Sequence, residues 1–254
     1  MIFVLLPAYN EEKNITAVLV RINEVLSGLK KPFKVYVVND GSTDATGDIL
    51  GKWHGRLPLE VIDFKTNRGV GNVFKAGFKA VCSEAADEDI LISLDCDRTH
   101  PADTFPAMIK AVEGGSDIVI ASRYHEKSEA VKLPFLRLVF SDSINGLLRV
   151  CFPLKGARDY TTFFRAYRVG LVKKALSVFG GNFVEQAGFS CMAEILVKLR
   201  VFAPQVSEVP VSLRFDLRSG KSKMKIFRTI FEYPGFIAKQ YRAVLSRVFQ
   251  GEGI

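Results

Sequence analysis

Ile90-Leu91-Ile92-Ser93-Leu94-Asp95-Cys96-Asp97 is an apolar run of strand length that ends on two carboxylates one residue apart. In extended backbone, residues two apart point the same way. Asp95 and Asp97 therefore converge on one hard cation if the strand geometry continues, and divide their duties if the chain turns. Mg²⁺ and Mn²⁺ favour oxygen ligands, and Mg²⁺ is commonly held by one or two carboxylates together with substrate phosphates. An isolated D-x-D is equally a solvated turn, so its surroundings decide.

The surroundings are a repeated alternation. Apolar runs at 2–6, 34–38, 59–64, 90–94 and 117–121 are separated by helical patterns at 14–29, 44–53, 70–85 and 103–113. In the first of these patterns Leu19, Ile22, Val25, Leu26 and Leu29 form one stripe. The alternation predicts an α/β fold with a mostly parallel sheet flanked by helices. Ligands of such sheets bind beyond the carboxyl ends of the strands. Four polar groups then share one rim: Pro7-Ala8-Tyr9-Asn10-Glu11, Asn39-Asp40-Gly41-Ser42, Asn67-Arg68-Gly69-Val70-Gly71 and Asp95-Cys96-Asp97. Rival nucleotide motifs fit poorly. Gly220-Lys221-Ser222 lacks the strand and upstream glycine of a Walker loop, and Phe74 stands where a dinucleotide fingerprint starting at Gly69 needs its third glycine.

With 254 residues, 48% of them hydrophobic and 24% charged, the chain is that of a folded globular protein with a real core. Its formal charge is +8, and residues 211–254 hold nine basic side chains against three acidic ones. Such an excess attracts phosphates, nucleic acid or an anionic membrane. The basic residues alternate with apolar ones at helical spacing instead of gathering on a stacking platform, so nucleic acid is not the expected partner. Cys82, Cys96, Cys151 and Cys191 form no C-x-x-C pair, and the apolar start at 2–6 lacks the basic flank and the length of a signal peptide. A reduced, cytoplasmic chain is the expectation. No apolar run approaches the roughly 18–20 residues of a membrane span, so any membrane contact is expected to be peripheral.

Near the C-terminus, Phe227, Ile230 and Phe231, then Phe236, Ile237, Tyr241, Val244, Leu245, Val248 and Phe249, recur at three- and four-residue steps. Pro234-Gly235 is expected to break them into two helices. They are amphipathic helices on an anionic membrane, or helices packed on the core with solvated basic residues. The expected division is a catalytic domain at 1–225 and an amphipathic segment at 226–254.

The ordered motifs Pro7-Ala8-Tyr9-Asn10-Glu11-Glu12, Asn39-Asp40-Gly41-Ser42-Thr43-Asp44, Asn67-Arg68-Gly69, Asp95-Cys96-Asp97-Arg98-Thr99-His100-Pro101 and Ser122-Arg123-Tyr124 resemble those of family 2 glycosyltransferases with the GT-A fold. Within that family the resemblance is to the dolichyl-phosphate mannose synthase branch, over about residues 2–225. It implies an inverting transfer of a hexose from a nucleotide sugar to a polyprenyl phosphate on the cytosolic face of a membrane. It also leaves room for a membrane-anchoring partner protein. Pro7, Tyr9, Glu11 and Asp40 match nucleoside-binding positions, and Asp95 and Asp97 match the site of Mg²⁺ or Mn²⁺. Arg123, Arg137 and Ser141 match acceptor-phosphate residues. An arginine fork suits a phosphate, and the alternative for Arg137, ranked behind it, is a side chain snorkelling from an interfacial helix.

Arg218 and Lys223 match a basic loop over the donor phosphates, although Arg218 stands two residues before Gly220 where the family has three. Two further departures bear on the sugar: Thr99 replaces a Gln, and Phe163 replaces a Gly in Asp159-Tyr160-Thr161-Thr162-Phe163-Phe164-Arg165. The helix with Met192, Glu194, Ile195 and Leu199 is mostly core by its spacing, Glu194 reads equally as a solvated charge, and no catalytic role is expected of it. Transfer to a different lipid or saccharide acceptor, and a non-catalytic nucleotide-sugar-binding subunit, are the alternatives.

Overall fold

Strand β1 (Ile2–Ala8) buries Phe3 and Leu5 on one face and Ile2, Val4 and Leu6 on the other, and so must lie inside a sheet covered on both sides. The computed structural model describes residues 1–129, 135–219 and 232–241, with the side chains of 135–137 left aside. In chain order β1 is followed by α1 (Ile15–Gly28), β2 (Phe33–Asn39), α2 (Thr46–Trp53), β3 (Leu59–Asp63), α3 (Val70–Glu84) and β4 (Ile90–Ser93). Then come α4 (Phe105–Glu113), β5 (Ile118–Ser122), α5 (Phe135–Cys151), β6 (Arg165–Arg168), α6 (Val169–Phe179), α7 (Cys191–Leu199) and β7 (Val206–Pro210). The seven strands form one sheet in the order β3-β2-β1-β4-β6-β5-β7.

All strand contacts are parallel except those of β6, which runs antiparallel to both β4 and β5. The five apolar runs of the sequence are β1 to β5, displaced by a residue or two at their ends. Helices α1, α2 and α4 cover one face; α3, α6 and α7 cover the other. The reversed strand shapes the site. Because β6 enters the sheet beside the carboxyl end of β4, with Ser93 opposite Arg165, the segment before it lies on the same rim as the strand ends.

Two expectations change. Residues 232–241 are helical straight through Pro234-Gly235. The helix also packs on the core: Tyr233 and Phe236 are buried, and Phe236 meets Phe152 at 6.2 Å. Glu194 is no solvated charge. It is fully buried, accepts from Lys198 Nζ at 2.6 Å, and its other oxygen accepts the backbone amides of Glu185 and Gln186. Lys198 bonds Glu185 at 3.0 Å, and Glu185 takes Lys239 at 2.7 Å, so a chain of alternating charges ties the 232–241 helix to α7. Among the described residues no helix is long and apolar enough to cross a membrane.

Candidate active site

The rim where β1 to β4 end opens into a cavity of about 980 Å³. Pro7, Tyr9, Glu11, Asp40, Asp95, Asp97, Arg123, Ser141 and Arg218 all line it, brought together from widely separated parts of the sequence. Lys223 lies outside the described residues, and of Arg137 only the helical backbone is described.

At one end, Asp40 is a clamp on the loop after β3. Its Oδ1 accepts the Arg68 amide at 2.7 Å and its Oδ2 the Gly69 amide at 3.0 Å. Burial pushes its carboxyl above the ordinary value, against the downward pull of those two amides and of the Arg68 charge. Gly69 and Gly71, which resembled a fragment of a dinucleotide loop, answer a different need. A Cβ on either would run into the backbone of Gln186 and Ala187, and the Gly71 amide donates to the Ala187 carbonyl at 3.0 Å. Glu11 is buried and accepts from Asn14 Nδ2 at 2.8 Å. Asn14 also donates to the Ser219 carbonyl at 3.1 Å and accepts the Ser219 amide at 3.3 Å. Asn14 stands three residues after Glu11, but its tie to Ser219, 205 residues away, is one that no local reading shows.

In the middle, Asp97 Oδ1 accepts from the Thr99 hydroxyl at 2.6 Å and the Thr99 amide at 3.1 Å. Its Oδ2 stands 3.3 Å from Arg218 Nε. Thr99, a departure from the family pattern, is thus the residue that fixes the Asp97 rotamer. The Asp95 amide donates to His100 Nδ1 at 3.1 Å. His100 stacks on Phe164 at 5.1 Å, and burial pushes its pKa down to about 4 despite Asp97 and Asp159 nearby. The imidazole is therefore neutral at pH 7, as an accepting Nδ1 requires. Among the described residues no three His, Cys, Asp or Glu side chains group to hold a metal by themselves. Two hard carboxylates beside space for a diphosphate nonetheless fit Mg²⁺ or Mn²⁺, which complete their shells with phosphate and water oxygens.

At the other end, Arg123 Nη2 donates to Ser141 Oγ at 2.7 Å and to Asp142 Oδ1 at 3.0 Å, and its guanidinium lies 4.6 Å over the Tyr124 ring. Tyr124 donates to the same Asp142 oxygen at 2.6 Å. Burial, then the Asp142 bond, push its phenol up to about 12. Asn145, one turn beyond Ser141, is fully buried. Its Nδ2 donates to Thr161 Oγ1 at 3.1 Å and its Oδ1 accepts the Tyr160 amide at 2.7 Å, locking α5 to the loop before β6. That loop is further held by Asp159, whose Oδ1 accepts the Thr161 and Thr162 amides. Asp142 and Asn145 went unread, although the four-residue spacing of Asn145 from Ser141 on a helix was an available signal; the one-residue step to Asp142 gives none.

The remaining wall comes from Phe163, from Ala187-Gly188-Phe189 and from Glu232 and Tyr233 of the C-terminal helix. The segment set apart as a separate unit from residue 226 thus contributes to the cavity.

Comparison with known proteins follows the same lines. The chain is 32% identical over 231 residues to the dolichol-phosphate mannosyltransferase of Pyrococcus furiosus, covering 91% of this chain and 60% of that protein. It is 28% identical to the undecaprenyl-phosphate 4-deoxy-4-formamido-L-arabinose transferase of Serratia proteamaculans, covering 89% of this chain and 64% of the other. With the polyprenol monophosphomannose synthase of Mycolicibacterium smegmatis it shares 26% identity, over 87% of this chain and 80% of that one. The chain therefore spans about three-fifths of the length of the first two relatives.

Among solved structures, the glucosyl-3-phosphoglycerate synthase of Mycobacterium tuberculosis with uridine diphosphate superposes with a TM-score of 0.65 at 15% identity, over 94% of this chain and 79% of that one, and shares the fold. The same enzyme with Mn²⁺, uridine diphosphate and glucosyl-3-phosphoglycerate gives 0.63 at 17% identity, over 97% and 79%. Residues 3–176 match the model of glycosyl transferase family 2. That stretch holds the rim from Pro7 through Asp95 and Asp97 to Arg123 and Phe163, and the chain belongs to glycosyl transferase family 2.

Proposed function

We propose that this protein transfers a hexosyl unit from a nucleotide sugar to a polyprenyl phosphate, inverting the anomeric carbon in a single displacement. The observation that carries this reading is the opposition of two charge types in one cavity: Asp95 and Asp97 at the end of β4, and Arg123 at the end of β5 with Ser141 of α5. The names of the relatives, two of which specify dolichol phosphate and undecaprenyl phosphate, point the same way.

Pro7, Tyr9, Glu11 and Asp40 form the nucleoside end, where Asp40 holds the Arg68–Gly69 loop in place. Asp95 and Asp97 would hold Mg²⁺ or Mn²⁺, whose charge offsets that building on the departing diphosphate. Arg218, together with Lys223, serves the same diphosphate from the side of the loop after β7. Arg123 and Ser141, with Arg137, take the acceptor phosphate. One acceptor oxygen attacks the anomeric carbon while the bond from that carbon to the diphosphate oxygen breaks and its electron pair leaves with the nucleoside diphosphate. The attacking oxygen is already anionic at neutral pH, so no strong general base is required.

The acceptor lipid asks for a membrane-facing surface. Helix α5 turns Ser141 into the cavity and leaves Val139, Leu147 and Val150 exposed, at spacings that share one side of a helix. This supports peripheral contact through α5, beside the phosphate site. The test is a panel of radiolabelled nucleotide sugars with a polyprenyl phosphate and Mg²⁺ or Mn²⁺, followed by lipid extraction. Label must enter the lipid phase with one donor, and its absence with every donor sinks the reading.

A further inference from the structure

Arg123 shares one terminal nitrogen among three partners. Its Nη2 donates to Ser141 Oγ at 2.7 Å, to Asp142 Oδ1 at 3.0 Å and to the Tyr124 hydroxyl oxygen. Among the described residues its Nε and Nη1 make no hydrogen bond. A planar guanidinium takes an anion with two N–H groups at once along either of two edges, Nη2 with Nε or Nη2 with Nη1, and both edges need Nη2. Arg21 and Arg214 use the first edge, each holding an aspartate through Nε and Nη2. The nitrogen that a two-pronged grip on a phosphate requires is thus the one already engaged in Arg123.

Of its three partners only Asp142 is charged. The same Asp142 oxygen accepts the Tyr124 hydroxyl at 2.6 Å, while Asn145 Nδ2 donates to the Tyr124 oxygen at 3.2 Å. Burial, then the Asp142 bond, push the phenol up to about 12, so its proton stays in place at neutral pH. Asp142 therefore takes from Arg123 and Tyr124 what a phosphate oxygen would take, a charged N–H and an O–H. Arg123 and Ser141 line the cavity, whereas the Asp142 side chain is 56% exposed and can swing into water.

We propose that Asp142 is an internal competitor for the acceptor phosphate, holding Arg123 Nη2 and the Tyr124 hydroxyl in the empty protein and yielding both to an entering phosphate monoester. This rests on the acceptor role given to Arg123 above. It adds Tyr124 to the groups that bind the acceptor and makes Asp142 the residue that sets how tightly a phosphate is held.

The test measures binding of farnesyl phosphate to the protein by calorimetry, with farnesol as the uncharged control. Asp142→Ala is expected to bind farnesyl phosphate about fivefold more tightly, and Asp142→Asn, which keeps the hydrogen bonds without the charge, about twofold more tightly. Tyr124→Phe is expected to weaken binding about fivefold, and by a similar factor in the Asp142→Ala background. A phenol that served only to orient Asp142 would have no effect in that background, and that result overturns the part given to Tyr124. Unchanged or weaker binding in both Asp142 variants overturns the competition and makes Asp142 a mere support for Arg123. A wild-type protein that binds farnesyl phosphate no better than farnesol removes the acceptor role of Arg123 and the proposal with it.

Discussion

Arg218 Nε lies 3.3 Å from Asp97 Oδ2, so a cation from the loop after β7 is paired with an aspartate of the β4 motif. The pair is mostly shielded, with side-chain exposures of 15% and 12%. It joins two parts of the sequence that were read separately, the metal motif and the basic loop. Asn14 and Ser219 make a second link a residue further on, to Glu11 at the nucleoside end.

The pairing predicts opposite effects on two ligands. Arg218→Ala frees Asp97 Oδ2, so Mn²⁺ alone binds severalfold more tightly, while sugar transfer falls about tenfold or more for want of a charge on the diphosphate. Asp97→Ala loses both, with metal-dependent transfer down by at least about a hundredfold. Metal titration followed by steady-state kinetics on the two variants checks this.

Arg123→Ala leaves Ser141 and Asp142 without their shared donor and removes the fork assigned to the acceptor phosphate. The expected loss, about 3 kcal/mol or roughly a hundredfold in kcat/KM for the lipid phosphate, leaves the affinity for the nucleoside diphosphate unchanged. Varying each substrate separately distinguishes the two.

Lys198→Met strands Glu194, which is fully buried and paired at 2.6 Å. Removing one partner of a buried pair costs about 3–5 kcal/mol, so urea denaturation should show a lowered midpoint with a similar slope. An exposed pair such as Arg214–Asp216, cut in the same way, should leave the midpoint essentially where it is.

His100 makes the fold sensitive to acid. Its native pKa of about 4 lies below the ordinary 6.5, so the unfolded chain takes up the proton first. Its contribution to stability is complete above pH 6.5 and is lost as the pH falls toward 4, by roughly 3 kcal/mol in all. His100→Gln should flatten the dependence of the urea midpoint on pH across that window.

The carboxyl-end rim was legible because four parallel strands with apolar runs announce where their polar ends must meet. Strand β6 was not. Arg165-Ala166-Tyr167-Arg168 looks like a surface segment, yet Arg165 is fully buried, its guanidinium donating to the carbonyls of Tyr160 and Met192 at 2.7 Å while Nε has no partner among the described residues. Period-two reading fails when a strand carries a charge into the core on hydrogen bonds to backbone. Glu232 and Ala187-Gly188-Phe189 were missed for a different reason. Their place in the wall depends on the packing of α7 and the 232–241 helix, which no local spacing encodes, and Pro234-Gly235 reads as a break where residues 232–241 run on as helix.

The central claim is that the acceptor attacks through its phosphate, and the most direct measurement offers the protein a polyprenyl phosphate and the corresponding polyprenol side by side, with the nucleotide sugar it accepts. Label extracted with the phosphate and not with the alcohol, cut about a hundredfold in Arg123→Ala, is the predicted result. Equal labelling of the alcohol, or transfer only to a water-soluble saccharide, would contradict it.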